Sequence, residues 1–376
     1  LLRREAMHNE ANMFNPPIFL LSALVLLAGC GERGTLGVLP PDSIPTQKQT
    51  VLIATSRATA PAPVFFSDTR SYKTNFAEVE VSIPPDREVG TLEYPQRGEV
   101  DPSTEFLIAS STVLDGNRGF TRALNAELAT LPASSQIASI FVHGFNTNHA
   151  EGVMRAVALA KDTGREGVQV VYTWPSAGSV LKYLDDRESA LFARDSLKET
   201  LAAVSQSRVS DYLVVGHSMG TFVVMDAMRE LAQQNQSATL SKIKAVVLIS
   251  ADLDIDVFRR QAPPVLAAGV PIVLLTTDDD LALSASAKIR GQGDRVGDIK
   301  STSELGGMKI PVFDLSNVTT GDALRHFKIG SSPEILDFLR SLNEGGTGAI
   351  GGTAGGPVLS VDSQSLESAT GIVVTE

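Results

Sequence analysis

Tyr212-Leu213-Val214-Val215-Gly216-His217-Ser218-Met219-Gly220 carries an apolar, β-branched run straight into G-x-S-x-G, and the amphipathic stretch Thr221–Gln234 follows without a break. A strand that turns at once into a helix leaves room for only a sharp corner. The glycines two residues either side of Ser218 let strand and helix approach without Cβ clashes, and the corner forces the serine into a strained backbone conformation. Ser218 is thereby held above a sheet edge at a helix N-terminus, where free N–H groups favour developing negative charge. It is the candidate nucleophile.

Outward from this corner, short β-branched runs alternate with helical patterns. Strands are expected at Val51–Ala54, Ile137–Val142, Val168–Thr173, Tyr212–Val215, Ala245–Ile249, Ile272–Leu275 and Val312–Leu315. Helices are expected at Ala150–Lys161, Asp186–Val204, Thr221–Gln234, Asp256–Leu266, Ala282–Ile289 and Pro333–Leu342. Strict alternation predicts an α/β fold with a mostly parallel sheet and helices on both faces. The almost wholly apolar strands suit it, because parallel strands are buried on both sides. The less regular region from Pro61 to Ala133, rich in Pro, Gly and Thr, reads as extra strands and loops on the sheet's leading edge.

The chain has 376 residues, a net charge of -11 and 43% hydrophobic residues, so it can bury a sizeable core. No basic cluster interrupts the acidic balance, which excludes a nucleic-acid partner. One cysteine, Cys30, excludes an intramolecular disulfide framework and multi-cysteine metal sites. Residues 18–27 form an apolar run too short to span a bilayer, and Leu27-Ala28-Gly29-Cys30 follows. That stretch resembles the bacterial lipobox, which implies a signal peptide over 1–29 and lipidation of Cys30. The expectation is a bacterial envelope lipoprotein, exported and held to the membrane by an N-terminal lipid anchor, the outer membrane slightly favoured because Gly31 follows the cysteine. Residues 30–49 then read as a tether and 50–343 as the catalytic domain. The tail, 344–376, has eight glycines, four acids, no base and no aromatic residue, and is expected to stay disordered.

The run VSIPPDREVGTLEYP, then FVHGFN, YTWPSAG, GHSMG, ISADLDIDVF, DDDLALSAS and a late HF resembles, in order, the bacterial α/β-hydrolases long catalogued as a domain of unknown function. The similarity covers about residues 50–342 and implies the α/β-hydrolase fold and serine esterase chemistry. It also implies that His143-Gly144-Phe145 forms the oxyanion loop, with backbone N–H donors from Phe145 and Met219. His143 then orients the loop. Of the five histidines, His326 falls where the Ser…Asp…His order of this fold puts the base, after the last strand. The acid lies among Asp278, Asp279 and Asp280, or among Asp252, Asp254 and Asp256. The resemblance matches DLAL, Asp280 to Leu283, to the family's acid turn, which favours Asp280 with Asp279 as substitute. Trp174 either lines the acyl pocket or packs in the core.

The D-x-D-x-D run at Asp252, Asp254 and Asp256 lacks the glycine turn and terminal Glu of a calcium loop, and reads as capping for the helix that follows. Neither a metal nor a cofactor is expected. Only 20 residues separate Asp252 from Pro271, counting both ends, and a helix fills most of them, so no large lid domain fits. The expected function is hydrolysis of carboxylic esters with short to medium acyl chains, on a small-molecule or lipid ester, through Ser218, Asp280 and His326. Lipid-directed acyl transfer, thioesterase or amidase activity would use the same residues, and a non-catalytic envelope scaffold would keep only the fold.

Overall fold

The computed structural model describes residues 33–45, 47–62, 65–95, 98–290, 294–318, 324–332, 335–336, 358–360 and 373–374. The expected signal peptide, Cys30 and most of the helix at Pro333–Leu342 and of the tail lie outside the described residues. The sheet is built from β1 (Gln47–Thr59), β2 (Phe66–Ile83), β3 (Leu107–Leu114), β4 (Ala138–Val142), β5 (Val168–Tyr172), β6 (Tyr212–His217), β7 (Ile243–Ile249), β8 (Ile272–Thr276) and β9 (Val312–Asp314). Two short tail strands, β10 (Val358–Ser360) and β11 (Val373–Val374), extend it, in the order β11-β10-β9-β8-β7-β6-β4-β5-β1-β2-β3.

From β1 through β10 every neighbouring pair is parallel. The irregular region after Pro61 supplies β2 and β3, which pair antiparallel on the β1 side. It also holds a helix the sequence did not announce, α1 (Gly116–Ala129), which buries Phe120, Leu124 and Leu128. The other long helices are α2 (His149–Asp162), α3 (Tyr183–Ser205), α4 (Gly220–Gln233), α6 (Ile255–Ala267) and α7 (Leu281–Arg290), with a single turn, α5 (Ser237–Leu240), after α4.

Alternate residues of each strand feed two cores. Ile140 and Val142 of β4 pack with Leu197 of α3, Val223 of α4 and Phe258 of α6, while Phe141 packs with Val153 and Val157 of α2 on the opposite face. This is the period-two alternation of a sheet covered on both sides. It is an α/β-hydrolase fold, and a single helix, α6, spans the connection from β7 to β8, so no lid domain is inserted there.

β4 is the switch point. Its neighbours are β5 on one side and β6 on the other, so the chain winds outward in two directions from it. Clefts open at the carboxyl ends of strands where the winding reverses. The loops after β4 and β6 meet there because Val142 pairs with Gly216.

Two expectations change. The tail, expected to stay disordered, contributes β10 and β11 to the sheet. The tether drawn over residues 30–49 is in part folded onto the domain. Leu36 is buried, Gly37 is held by hydrogen bonding with Ile108, and β1 already begins at Gln47. The physical reason is the long hairpin of β1 and β2, whose outer neighbour β3 offers its edge to Val38 as a β-bridge.

Candidate active site

Ser218 sits at the corner between β6 and α4 with φ 52, a left-handed conformation that a residue with a Cβ adopts only when its surroundings impose it. The surroundings are specific. Ser218 N–H donates to the Ile249 carbonyl at 3.0 Å, and its own carbonyl accepts from Thr221 Oγ1 at 2.6 Å and from Thr221 N–H at 3.0 Å. A Cβ on Gly216 would lie 3.1 Å from Thr221 Cα, and one on Gly220 would strike the carbonyl oxygens of Val142 and His143. Gly220 is therefore required by contact and Gly216 sits in a tight one, as the motif's spacing implied.

The loop after β4 packs directly on Ser218. A Cβ at Gly144 would stand 2.7 Å from Ser218 Cβ, so only glycine lets the two backbones approach. His143 is fully buried and stacks on Trp174 with ring centres 5.2 Å apart; the Trp174 indole N–H donates to the His143 carbonyl at 2.6 Å. His143 Nδ1–H donates to the Gly144 carbonyl at 2.9 Å. Burial, reinforced by the Arg57 charge, lowers its pKa to about 3, so the ring is neutral and shapes the loop. Trp174, wholly buried, packs in the core and props this carbonyl; it is not an exposed wall. Phe145 packs edge-on against Tyr183 at 5.1 Å, and Met219 is buried at the start of α4.

His326 and Asp280 meet. His326 Nδ1–H donates to Asp280 Oδ2 at 2.6 Å, and the other Asp280 oxygen accepts from the N–H groups of Ala282 and Leu283, both at 2.9 Å. The carboxylate thus caps α7 while it orients the imidazole, and it is 1% exposed. Asp279 points elsewhere: it pairs with Lys328 at 2.7 Å and Arg325 at 3.2 Å and accepts from Thr277 Oγ1. Those partners hold its carboxyl below the usual range despite opposing desolvation.

Several supporting residues were invisible in the sequence. The His217 ring lies 4.8 Å from that of His326, and its Nε2–H donates to the His326 carbonyl at 3.1 Å. Burial keeps His217 neutral, with a pKa well below the ordinary histidine value. Tyr183 OH donates to Asp252 Oδ2 at 2.7 Å, and Asp252 also faces Arg295 Nε at 3.1 Å and Ser286 Oγ at 3.0 Å. Asp252 is therefore held in an ion-pair network, whereas Asp254 caps α6 by accepting from Asp256 and Val257 N–H. Asp186, in the first turn of α3, accepts from Ser176 Oγ at 2.6 Å and Ala177 N–H at 2.8 Å, tying α3 to the loop after β5. Fully buried Arg57 donates to the Ser176 carbonyl at 3.0 Å and to Asp68 at 2.6 Å. Among the described residues, no group of three His, Cys, Asp or Glu side chains is placed to hold a metal.

Chemically, this edge offers a strained serine, a carboxylate-bound imidazole and a glycine loop in contact with the serine. No curated protein matches the chain in sequence. Solved structures similar to it include an esterase of the fungus Rhizomucor miehei, at 12% identity over 90% of this chain and 94% of that one, with a TM-score of 0.34. A hyperthermophilic esterase of the archaeon Pyrobaculum calidifontis aligns at 12% identity over 86% and 88%, with a TM-score of 0.35. Scores this low leave the chemistry open. The family model described as "Alpha/beta hydrolase of unknown function (DUF900)" matches residues 119–342, more than half of the chain, and the protein belongs to that family.

Proposed function

We propose that this protein is a serine esterase that cleaves carboxylic esters of short to medium acyl chains. The observation that carries the reading is the 2.6 Å hydrogen bond from His326 to Asp280 at the same sheet edge as the left-handed Ser218. Ser218 Oγ attacks the ester carbonyl while His326 Nε2 takes its proton, and Asp280 stabilises the imidazolium. The N–H groups of Phe145 and Met219 hold the oxyanion. Collapse of the tetrahedral intermediate breaks the C–O bond, and His326 returns the proton to the leaving alcohol. Water, deprotonated by the same histidine, then releases the acid and regenerates Ser218.

The absence of a lid insertion between β7 and β8 supports an open site that takes the acyl group without interfacial activation. We place the protein in the bacterial envelope, anchored through a lipid on Cys30; mass spectrometry of the mature N-terminus tests this. The esterase reading is tested by hydrolysis of p-nitrophenyl butyrate and by labelling with a fluorophosphonate probe. Both are expected to disappear in Ser218→Ala. Equal rates in the two proteins would sink the reading.

A further inference from the structure

Large apolar side chains are exposed around the site. Leu181 is 81% exposed and Leu184 67%, on either side of Tyr183, whose ring packs on Phe145. Across the site, Leu281 and Leu324 are each more than half exposed, and Leu281 N–H donates to the Leu324 carbonyl beside the Asp280–His326 pair. These residues follow β5, β8 and β9, parallel strands whose carboxyl ends share one edge of the sheet. Single exposed leucines are ordinary, but a set that rims one site is a contact surface.

We infer that this rim is a bilayer-docking face that presents amphiphilic esters, resident in the membrane, to Ser218. The inference rests on the lipid-anchored esterase reading and deepens it. What identifies the occupant as a bilayer is the clasp at Arg33, whose guanidinium donates to the Asn146 carbonyl at 2.8 Å, next to Phe145. Cys30 precedes Arg33 by three residues of chain, which span at most about 11 Å. A lipid on Cys30 therefore tethers the bilayer within that length of chain from Arg33. A net charge of -11 gives no overall attraction to an anionic membrane, so the apolar rim carries the contact. An open site that takes only the first carbons of the acyl group is sufficient, because the remaining tail stays among the rim leucines.

The test uses the full chain carrying Leu181→Ser and Leu184→Ser together, with Ile44→Ser, at another exposed apolar position, as control. Rates are measured on a fluorogenic long-chain ester dissolved in phosphatidylethanolamine and phosphatidylglycerol vesicles, and on p-nitrophenyl butyrate in solution. The double variant is expected to lose about tenfold on vesicles while its soluble rate stays within about twofold. An unchanged vesicle rate, or an equal fall on both substrates, overturns the docking face. If the unaltered protein does not hydrolyse p-nitrophenyl butyrate, the esterase reading fails instead, and docking is then read from flotation of the Cys30→Ser protein with the same vesicles. Flotation lost in the leucine variant supports the face. Unchanged flotation, with a dimer converted to monomer in ultracentrifugation, assigns the rim to a second copy and overturns it.

Discussion

Arg33 clasps Asn146 from both sides of its peptide: Nη2 donates to the Asn146 carbonyl at 2.8 Å and Nη1 to its Oδ1 at 3.1 Å. Asn146 has φ 53, so the loop leaves Phe145 through a left-handed residue. Glu151 completes the clasp by accepting from Arg33 Nη2 at 2.5 Å and from Gly34 N–H at 3.1 Å, while also closing the capping box of α2 with Asn148. Segment, loop and helix are thus one hydrogen-bonded unit.

Arg33→Ala is expected to lower kcat on a soluble ester about tenfold with little change in KM, because the loop is positioned less well while substrate contacts survive. It should also cost about 1.5–3 kcal/mol of stability, the range for hydrogen bonds to charged groups. Arg33→Lys should recover only part of the rate, since one ammonium cannot reproduce the fork. Steady-state kinetics beside urea denaturation check this; an unchanged kcat would mean that the loop holds its shape without the clasp.

The two adjacent aspartates separate chemistry from stability. Asp280→Asn should reduce kcat by about 10³–10⁴, as loss of the imidazole's orienting carboxylate does in serine hydrolases, with His326→Ala and Ser218→Ala at least as severe. Asp279→Asn should leave kcat within about tenfold. It strands Lys328, which is 2% exposed and bonded to the carbonyls of Leu315 and Ser316, so it should cost roughly 3 kcal/mol in unfolding free energy. If the two variants exchanged these phenotypes, Asp279 would be the acid.

These contrasts show what the sequence could disclose. The Ser218 corner was legible because its demand is local: Gly216 and Gly220 are crowded by atoms within a few residues of Ser218 or in the adjacent strand. The parallel strands were legible from their unbroken apolar runs, such as Ile272–Leu275. Arg33 was not, because its partners lie 113 and 118 residues away and a Gly/Pro-rich flank looks like a tether until a surface is there to receive it. Nor was the role of His217, which depends on how β6 and the His326 loop meet in space, or that of Tyr183, a helix-start residue until its hydroxyl finds Asp252. Residue type signalled chemistry; the positioning contacts are long-range and carry no spacing signature.

Acid should unfold this protein through its histidines. His143, His149 and His217 are all buried, and desolvation lowers each pKa from the ordinary 6.5, to about 3 for His143. Above pH 6.5 these rings are neutral in both folded and unfolded chains, and the stability is fully present. As pH falls below that value the unfolded chain binds protons that the folded one refuses, so stability falls toward the lowered folded values. Each ring contributes a slope of about 1.4 kcal/mol per pH unit. Urea midpoints measured from pH 7 downward should therefore drop steeply below about pH 6, and His143→Asn should make the drop shallower. A midpoint flat to about pH 4.5 would mean that these rings are protonated in the folded protein.

Gly144 and Gly220 should fail in different ways when each is replaced by alanine. At Gly220 the new methyl meets two backbone carbonyls, those of Val142 and His143, which belong to or adjoin a central strand and cannot yield. The cost should be roughly 3 kcal/mol or more, enough to impair folding. At Gly144 the methyl meets Ser218 Cβ at 2.7 Å, His217 Nδ1 at 3.1 Å and the His217 carbonyl oxygen at 3.2 Å, so relief falls to a shift of the loop itself. Stability should then fall by only about 1–2 kcal/mol. Retreat carries the Phe145 N–H away from the oxyanion, and misplacement of one donor should cost about 10²-fold in kcat. Purified Gly144→Ala is therefore expected to be folded by circular dichroism, slow on p-nitrophenyl butyrate, and still labelled at Ser218 by a fluorophosphonate at a reduced rate. Full activity in Gly144→Ala would remove this loop from the oxyanion site.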